Sequence, residues 1–384
     1  MSDKFFKFLV TVKPLGFMYG SAGAFLSPEN LVGRSGSKFP PDTATLAGLF
    51  FNANREQKFA NHKALRDNLV ISGPFWAKQD TPKKFYVPIP WHKVIAEKDD
   101  DEWIFVKKKA EKQEAVESDE NKWCLGQQRW ERKNKDLKPD YGWQSIDAWN
   151  LPPEELRQRK AIEKAPWEPV SFLHPKIKSE ERHVVEKDGL FLENAMQFPE
   201  EYCLVYLSNY ELPNSDRWYR FGGEGHLVEI ESHPLSEKDK INRLLNHKNK
   251  IQHAFALITP GVWGSNKCSY RYPHHPSFPR QGLKMLTDRP VPYRYRLGHS
   301  RKEEQIETLD ESYDPSRTGR LSRGRYAVPA GSIYVFKHPL NRTWWEFPNE
   351  WFPKEGFPLK HLGCGLCLPI DIQGLPSCTT EPTE

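Results

Sequence analysis

Apolar and polar positions along the chain alternate between short strand-like runs and a few helical ones. Phe5–Val12 (FFKFLVTV) is apolar and β-branched, and Pro14 closes it, which is the pattern of a strand. Tyr202–Leu207 (YCLVYL), Leu227–Glu231 (LVEIE), Phe255–Ile258 (FALI) and Ser332–Lys337 (SIYVFK) read the same way. Leu69–Pro74 and Phe85–Pro90 are expected to be short strands or extended loop. Helix signals are fewer. Pro40-Pro41, then Asp42 and Thr43, then an apolar run mark a helix start, so a helix is expected over Thr43–Asn54. Pro152-Pro153 opens an expected helix to about Lys164, and Ser236–Asn249 reads as another. Strands and helices joined by glycine-rich connections give the class α+β.

One region breaks this pattern. Residues 97–188 hold charge runs such as Asp99–Glu102 and Lys107–Lys109, with Trp103, Trp123, Trp130, Trp143 and Trp149 scattered among them. They read as a charged insertion ordered around aromatics. The polar tail 373–384 is expected to be disordered.

The 384 residues are 38% hydrophobic and include 13 Trp, 14 Tyr and 22 Phe, enough for a packed core over about two domains. No stretch is long and apolar enough for a membrane helix. Lys4 and Lys7 interrupt the first apolar run, so no secretory leader and no membrane partner are expected. Cys124, Cys203, Cys268, Cys364, Cys367 and Cys378 are sparse and irregular, which fits reduced thiols and a cytoplasmic location. Cys364 and Cys367 form a CxxC without a second pair, so neither a metal site nor a cofactor is expected.

The net charge of +5 conceals a pattern. Residues 1–96 carry 13 Lys and Arg against 6 Asp and Glu; residues 267–342 carry 15 against 7, and 11 of those 15 are Arg. Two basic blocks suit a polyanion. In the second block Arg is interleaved with Tyr270, Tyr272, Tyr293 and Tyr295, and both residue types stack on unpaired bases.

Two places could carry such a contact. The turn Gly222-Gly223-Glu224-Gly225, flanked by Arg220 and His226, lets backbone come close to a phosphate or base, or is a hairpin turn needing positive φ. The expected first helix offers free N–H groups beside Thr43 and Thr45, with Lys13, Arg34 and Lys38 before it, unless Asp42 caps it. Gly363 and Gly365 bracket Cys364 in a similar glycine loop. Catalytic signatures are lacking: there is no P-loop, GxSxG or HExxH, and no spacing singles out one of His174, His183, His226, His274, His275 and His299.

Five segments taken in order, FPPDTATLAGLFF (39–51), ISGPFW with FYVPIP (71–90), RFGGEGHLVEI (220–230), LITPGVW (257–263) and RYAVPAGSIYVF (325–336), followed by LGCGLCLPI (362–370), resemble the Cmr subunit three family. These are Cas-five-group RAMP proteins of type III CRISPR effector complexes. The resemblance spans somewhat over half of the chain, and its glycine-rich ending departs from the family pattern through CGLC. It implies two ferredoxin-like (RRM-like) modules with antiparallel sheets, one from 1–96 with 189–250 and one from 251–372. It implies a non-catalytic, RNA-binding subunit that grips the 5′ tag of the guide RNA. The implied partners are the large polymerase-like subunit and a neighbouring RAMP backbone subunit. The candidate RNA contacts are then Lys13, Arg34, Lys38, Thr43, Thr45, Arg220, Gly222, Gly223, Gly225, His226, Arg323, Arg325, Tyr326, Gly363 and Gly365. Two alternatives are a metal-independent RAMP endoribonuclease that processes precursor guide RNA, and a protein scaffold without RNA contact.

Overall fold

A computed structural model describes residues 5–19, 39–107, 128–175, 183–184, 190–213, 218–222, 225–276, 278, 283–295, 321–355 and 357–376. The first apolar run forms strand β1 (Phe8–Pro14), an inner strand of an eight-stranded antiparallel sheet. Its other strands are β2 (Ile71–Lys78), β3 (Tyr86–Pro88), β4 (Trp143–Ser145), β5 (Ile162–Glu163), β6 (Tyr202–Ser208), β7 (Trp218–Phe221) and β8 (His226–Pro234), in the order β5-β4-β3-β2-β6-β1-β8-β7. A second antiparallel sheet holds β9 (Ala254–Leu257), β10 (Leu283–Leu286), β11 (Ile333–Phe336) and β12 (Cys367–Pro369), in the order β10-β11-β9-β12. Four adjacent strands of the first sheet run β8-β1-β6-β2. Numbered by chain order, both sets read 4-1-3-2.

The helices are shorter than the sequence pattern suggests, apart from the first. α1 (Thr43–Gln57) starts where expected and ends at Lys58, whose φ of 52° turns the chain out of the helix. α2 (His62–Asn68) follows, with the Asn61 side chain accepting from Ala64 N at 3.0 Å as its cap. α3 (Pro153–Gln158) stops well short of Lys164, because Lys160 takes a left-handed backbone and Ile162–Glu163 then pairs with β4. α4 is confined to Lys240–Leu244 within the expected span 236–249. There polar side chains compete for backbone groups: Asp239 Oδ2 accepts from Ser236 N, and Asn242 Nδ2 donates to the carbonyls of Phe6 and Ser236. Among the described residues, the second sheet has no α-helix in its connections. Its last crossover uses single turns at Trp344–Glu346, Asn349–Trp351 and Leu359–Leu362, where Pro339, Pro348, Pro353 and Pro358 preclude a longer helix.

α1 lies on one face of the main sheet, where its Leu46 and Phe50 are buried and the Tyr206 hydroxyl donates to Pro41 O at 2.6 Å. One apolar core runs through both sheets, and Ile89, Ile95, Ala148, Leu156 and Ile162 form a smaller separate cluster. Phe6 meets Trp345 at 4.8 Å, and the Trp149 Nε1 donates to Pro369 O at 2.9 Å. Trp149, β4 and β5 come from the segment that its charge sets apart, so this part of 97–188 is both sheet and core. Close by, the buried Lys93 ammonium donates to Trp149 O at 2.9 Å. Burial lowers its pKa to about 8, against the opposing pull of Glu102.

Candidate nucleic-acid interface

Side chains alternate across a strand, so β1, β7 and β8 sort their residues between two faces. On the face away from α1, Lys13 pairs with Glu229 and Glu229 with Trp218; in the next row Arg220 pairs with Leu227. Leu15 N donates to Leu227 O at 3.1 Å and extends that row. Trp218 is 65% exposed, and Leu15 and Leu227 are exposed beside it. Phe17, also exposed, contacts Phe172 edge-on at 5.0 Å, next to the exposed Leu173. These exposed apolar side chains are bordered by charges of both signs: Lys13 and Arg220 against Glu229 and Glu231. The sequence reading missed Trp218; its signal is the alternation in WYRF, where Tyr219 and Phe221 face inward.

The glycine turn closes the β7–β8 hairpin, with Gly225 N donating to Gly222 O at 3.1 Å. Gly222 has a φ of 79°, and among the described residues a methyl added there would come no closer than 3.9 Å, to Thr45 Cγ2. The turn and the first turn of α1, two separate candidates in the sequence, are therefore neighbours. His226 holds the chain ahead of them: its Nε2 lies 3.1 Å from both Tyr19 N and Tyr19 O, and the two rings stack at 5.8 Å. Asp42 occupies the N-cap position of α1 without a side-chain hydrogen bond to the helix. Arg34, Lys38 and Gly223 lie outside the described residues.

Thr43 is not available at this site. It is buried, and its hydroxyl donates to Leu362 O at 2.7 Å. That contact belongs to the loop around Gly363 and Gly365, which is wedged between the sheets. A methyl on Gly363 would fall 2.5 Å from Ile71 O and Ser72 Cα, and one on Gly365 would fall 2.5 Å from Trp263 Cη2. Cys364 and Cys367 are buried, with the Cys364 thiol 3.2 Å from the Tyr293 hydroxyl. In this fold the loop is a packing joint, and neither glycine presents its backbone outward. Among the described residues, no three His, Cys, Asp or Glu side chains converge as a metal site would require.

The second sheet displays a different surface. Buried Trp263, whose Nε1 donates to the Tyr334 hydroxyl at 2.9 Å, anchors the pairing of Trp263–Gly264 with Ser269–Tyr270. This holds Tyr270 outward, 44% exposed. The strand Arg325–Ala327 lies alongside, with Tyr326 N donating to Ser269 Oγ at 3.2 Å. Alternation along that strand separates its first two residues. Tyr326 is 59% exposed, whereas Arg325 is buried and its Nη1 pairs with Glu355 Oε2 at 3.1 Å. Arg325 therefore cannot serve as a surface contact. Arg323 can: it is exposed, and its Nη1 donates to Asn266 O at 2.8 Å. Arg271 and Lys267, both exposed, complete a basic surface around the two tyrosines. Tyr293 and Tyr295 are buried and play no part in it.

Comparison with known families places the chain in one of them. The family of CRISPR-associated proteins described as Cas_Cmr3 matches residues 16–370. The chain thus belongs to the Cmr subunit three family, whose members are subunits of type III CRISPR effector complexes. No curated protein matches it. Among solved structures it is similar to a chain of a type III-B Cmr-beta complex bound to cognate target RNA, at 11% identity and a TM-score of 0.43, covering 85% of this chain and 86% of that one. A chain of a Csm3-Csm4 subcomplex of the type III-A interference complex matches at 13% identity and a TM-score of 0.36, covering 86% and 94%. One from a Csm1-Csm4 cassette in complex with AMPPNP matches at 14% and 0.35, covering 89% and 98%.

Proposed function

We propose that this chain is a non-catalytic, RNA-binding subunit of a type III effector complex, working in the cytoplasm, that grips the 5′ tag of the guide RNA and anchors neighbouring subunits in antiviral defence. In this reading both sheets, with their shared 4-1-3-2 order, are ferredoxin-like modules, the second having lost its helices. The observation that carries RNA binding is the surface of exposed Tyr270 and Tyr326 framed by Arg271, Arg323 and Lys267. Unpaired bases stack on such tyrosines while the cations meet the phosphates. The glycine turn beside Thr45 and Arg220 supplies a second contact for the backbone. The apolar patch of Trp218, Leu227, Leu15 and Phe17 is suited to protein, because its mixed charges favour neither sign of ligand. It is the surface offered to the large polymerase-like subunit or to a RAMP backbone subunit.

Binding of a labelled tag oligonucleotide to the full chain tests this. Tyr326→Ala and Tyr270→Ala should each weaken affinity by about tenfold, the lower half of what a stacked base contributes, with an unchanged melting temperature. Unchanged affinity for both variants removes the site. Cleavage of precursor guide RNA in chelator would favour the endoribonuclease reading, and assembly without RNA at this subunit the scaffold reading.

A further inference from the structure

Beside the N-terminus of α1, on the helix-bearing face of the main sheet, aromatic rings form a connected row. Trp76 stacks on Tyr86 at 4.1 Å with 5° between their planes, and Trp143 and Tyr202 meet it edge-on at 6.1 and 5.6 Å. Trp167 continues from Trp143 at 5.9 Å, with Phe39 and Phe198 around it at 5.2 and 6.1 Å. Trp76 is buried; the other rings are half-exposed. An ordinary core cluster would hide such rings, and this one leaves a face of them at the surface.

The charges around the row are mostly acidic. Glu163 pairs in register with Trp143 and lies close enough to Tyr86 to add to the effect of burial in raising its phenol pKa. Glu168 follows Trp167, and Glu200 and Glu201 stand between Phe198 and Tyr202, all three exposed. The Glu201 carbonyl accepts from Gln79 N at 2.9 Å, which fixes that turn against β2. Lys78, opposite Tyr202, is the single basic residue in the registers that build this face.

We propose that this aromatic face docks an extended segment of a partner protein that carries Arg or Lys side chains. Cations are attracted to the faces of Trp and Tyr rings, and the surrounding carboxylates add to that attraction. A phosphate chain would meet the same carboxylates as repulsion, so the site is distinct in chemistry from the Tyr270–Tyr326 surface. The inference stands whether or not RNA binds there.

The probe is a fluorescent peptide of alternating Arg and Gly, titrated into the full chain and followed by anisotropy. Glu163→Gln combined with Glu200→Gln should weaken binding by about tenfold, and Trp167→Ala should do the same. Glu154→Gln with Glu155→Gln, on the surface of α3, should leave binding unchanged, as should Tyr326→Ala. Peptide affinity indifferent to the Glu163/Glu200 pair overturns the proposal. So does equal loss with the α3 pair, or displacement of the peptide by single-stranded RNA. Should Trp167→Ala fail to fold, the charge pair at the surface decides alone.

Discussion

Gly222 and Gly363 both take a left-handed backbone, with φ of 79° and 69°. Around Gly222 the described residues leave space: the nearest of them to a methyl is the tip of Thr45. Around Gly363 there is none, because the backbone and side chain of Ser72 and the carbonyl of Ile71 fill the position at 2.5 Å. The two turns look alike in sequence, each a glycine cluster next to a strand. A glycine reports that a Cβ is unwelcome there, either because φ is positive or because something lies too close. Only the fold says whether that something is the protein itself or a ligand.

Substitution by alanine separates the two cases. Gly363→Ala meets both φ strain and overpacking against immovable backbone, together about 3–4 kcal/mol. Gly222→Ala meets strain alone, about 1 kcal/mol. Thermal melts should show a collapse or severe loss for the first and a shift of a few degrees for the second. Similar shifts for both would mean that the Gly363 joint opens readily.

Arg325 and Arg323 make a second pair of this kind. Arg325→Ala leaves the largely buried Glu355 without its cation and should destabilise the chain by about 3 kcal/mol. Arg323→Ala, at the surface, should stay within about 0.5 kcal/mol. Denaturant unfolding of both variants checks this, and equal effects would dissolve the distinction.

The joint between the sheets also holds Lys93, whose pKa falls from 10.5 in the free side chain to about 8 in the fold. Between those values the unfolded chain binds more protons than the folded one, so stability rises as pH increases from about 8 to 10.5. The full gain is at most about 3 kcal/mol. Lys93→Met should abolish this rise, whatever it does to stability at neutral pH. A wild-type stability that stays flat or falls across the window would show that Lys93 is hydrated.

How much of this could be read from residues alone depended on what each signal physically reports. The strands at Phe8, Tyr202, His226, Ala254 and Ile333 emerged because half-buried or fully buried sheets leave periodic or continuous apolar runs. The start of α1 emerged from its Pro-Pro-Asp-Thr signature. The helix over 236–249 shrank to one turn because Ser236, Asp239, Asn242 and Asn249 bind nearby backbone, a competition that pattern counting does not register. Residues 143–163 were set apart by the charge runs upstream of them, yet their Trp, Gln and Ile side chains pair into the sheet; composition averaged over a window hides three-residue strands. At the candidate interface, Tyr270 and Tyr326 were separable from Tyr293 and Tyr295 only through burial. Arg323 and Arg325 differed only through burial: Arg325 opens the strand Arg325–Ala327 on its inward side, and Arg323 lies exposed in the loop before it.

That last difference leads to the smallest effect and the most specific one. For a single-stranded RNA the logarithm of affinity falls with the logarithm of salt by about 0.7 for each phosphate neutralised. If Arg323 meets a phosphate of the tag, Arg323→Ala should flatten the slope by about 0.7 and weaken binding modestly at low salt. Arg325 is engaged by Glu355 inside the fold and exchanges no counterion with RNA, so the folded fraction of Arg325→Ala should keep the wild-type slope even as its stability drops. The two variants thus move opposite observables: one changes salt dependence at constant stability, the other stability at constant salt dependence. Measuring tag affinity for both across a salt series, with the melting temperature of each, gives four numbers that must fall in that crossed pattern. A slope that flattens for Arg325→Ala and not for Arg323→Ala would mean that the strand Arg325–Ala327 turns over when RNA binds, and the surface assigned to Tyr326 would have to be assigned to its opposite side.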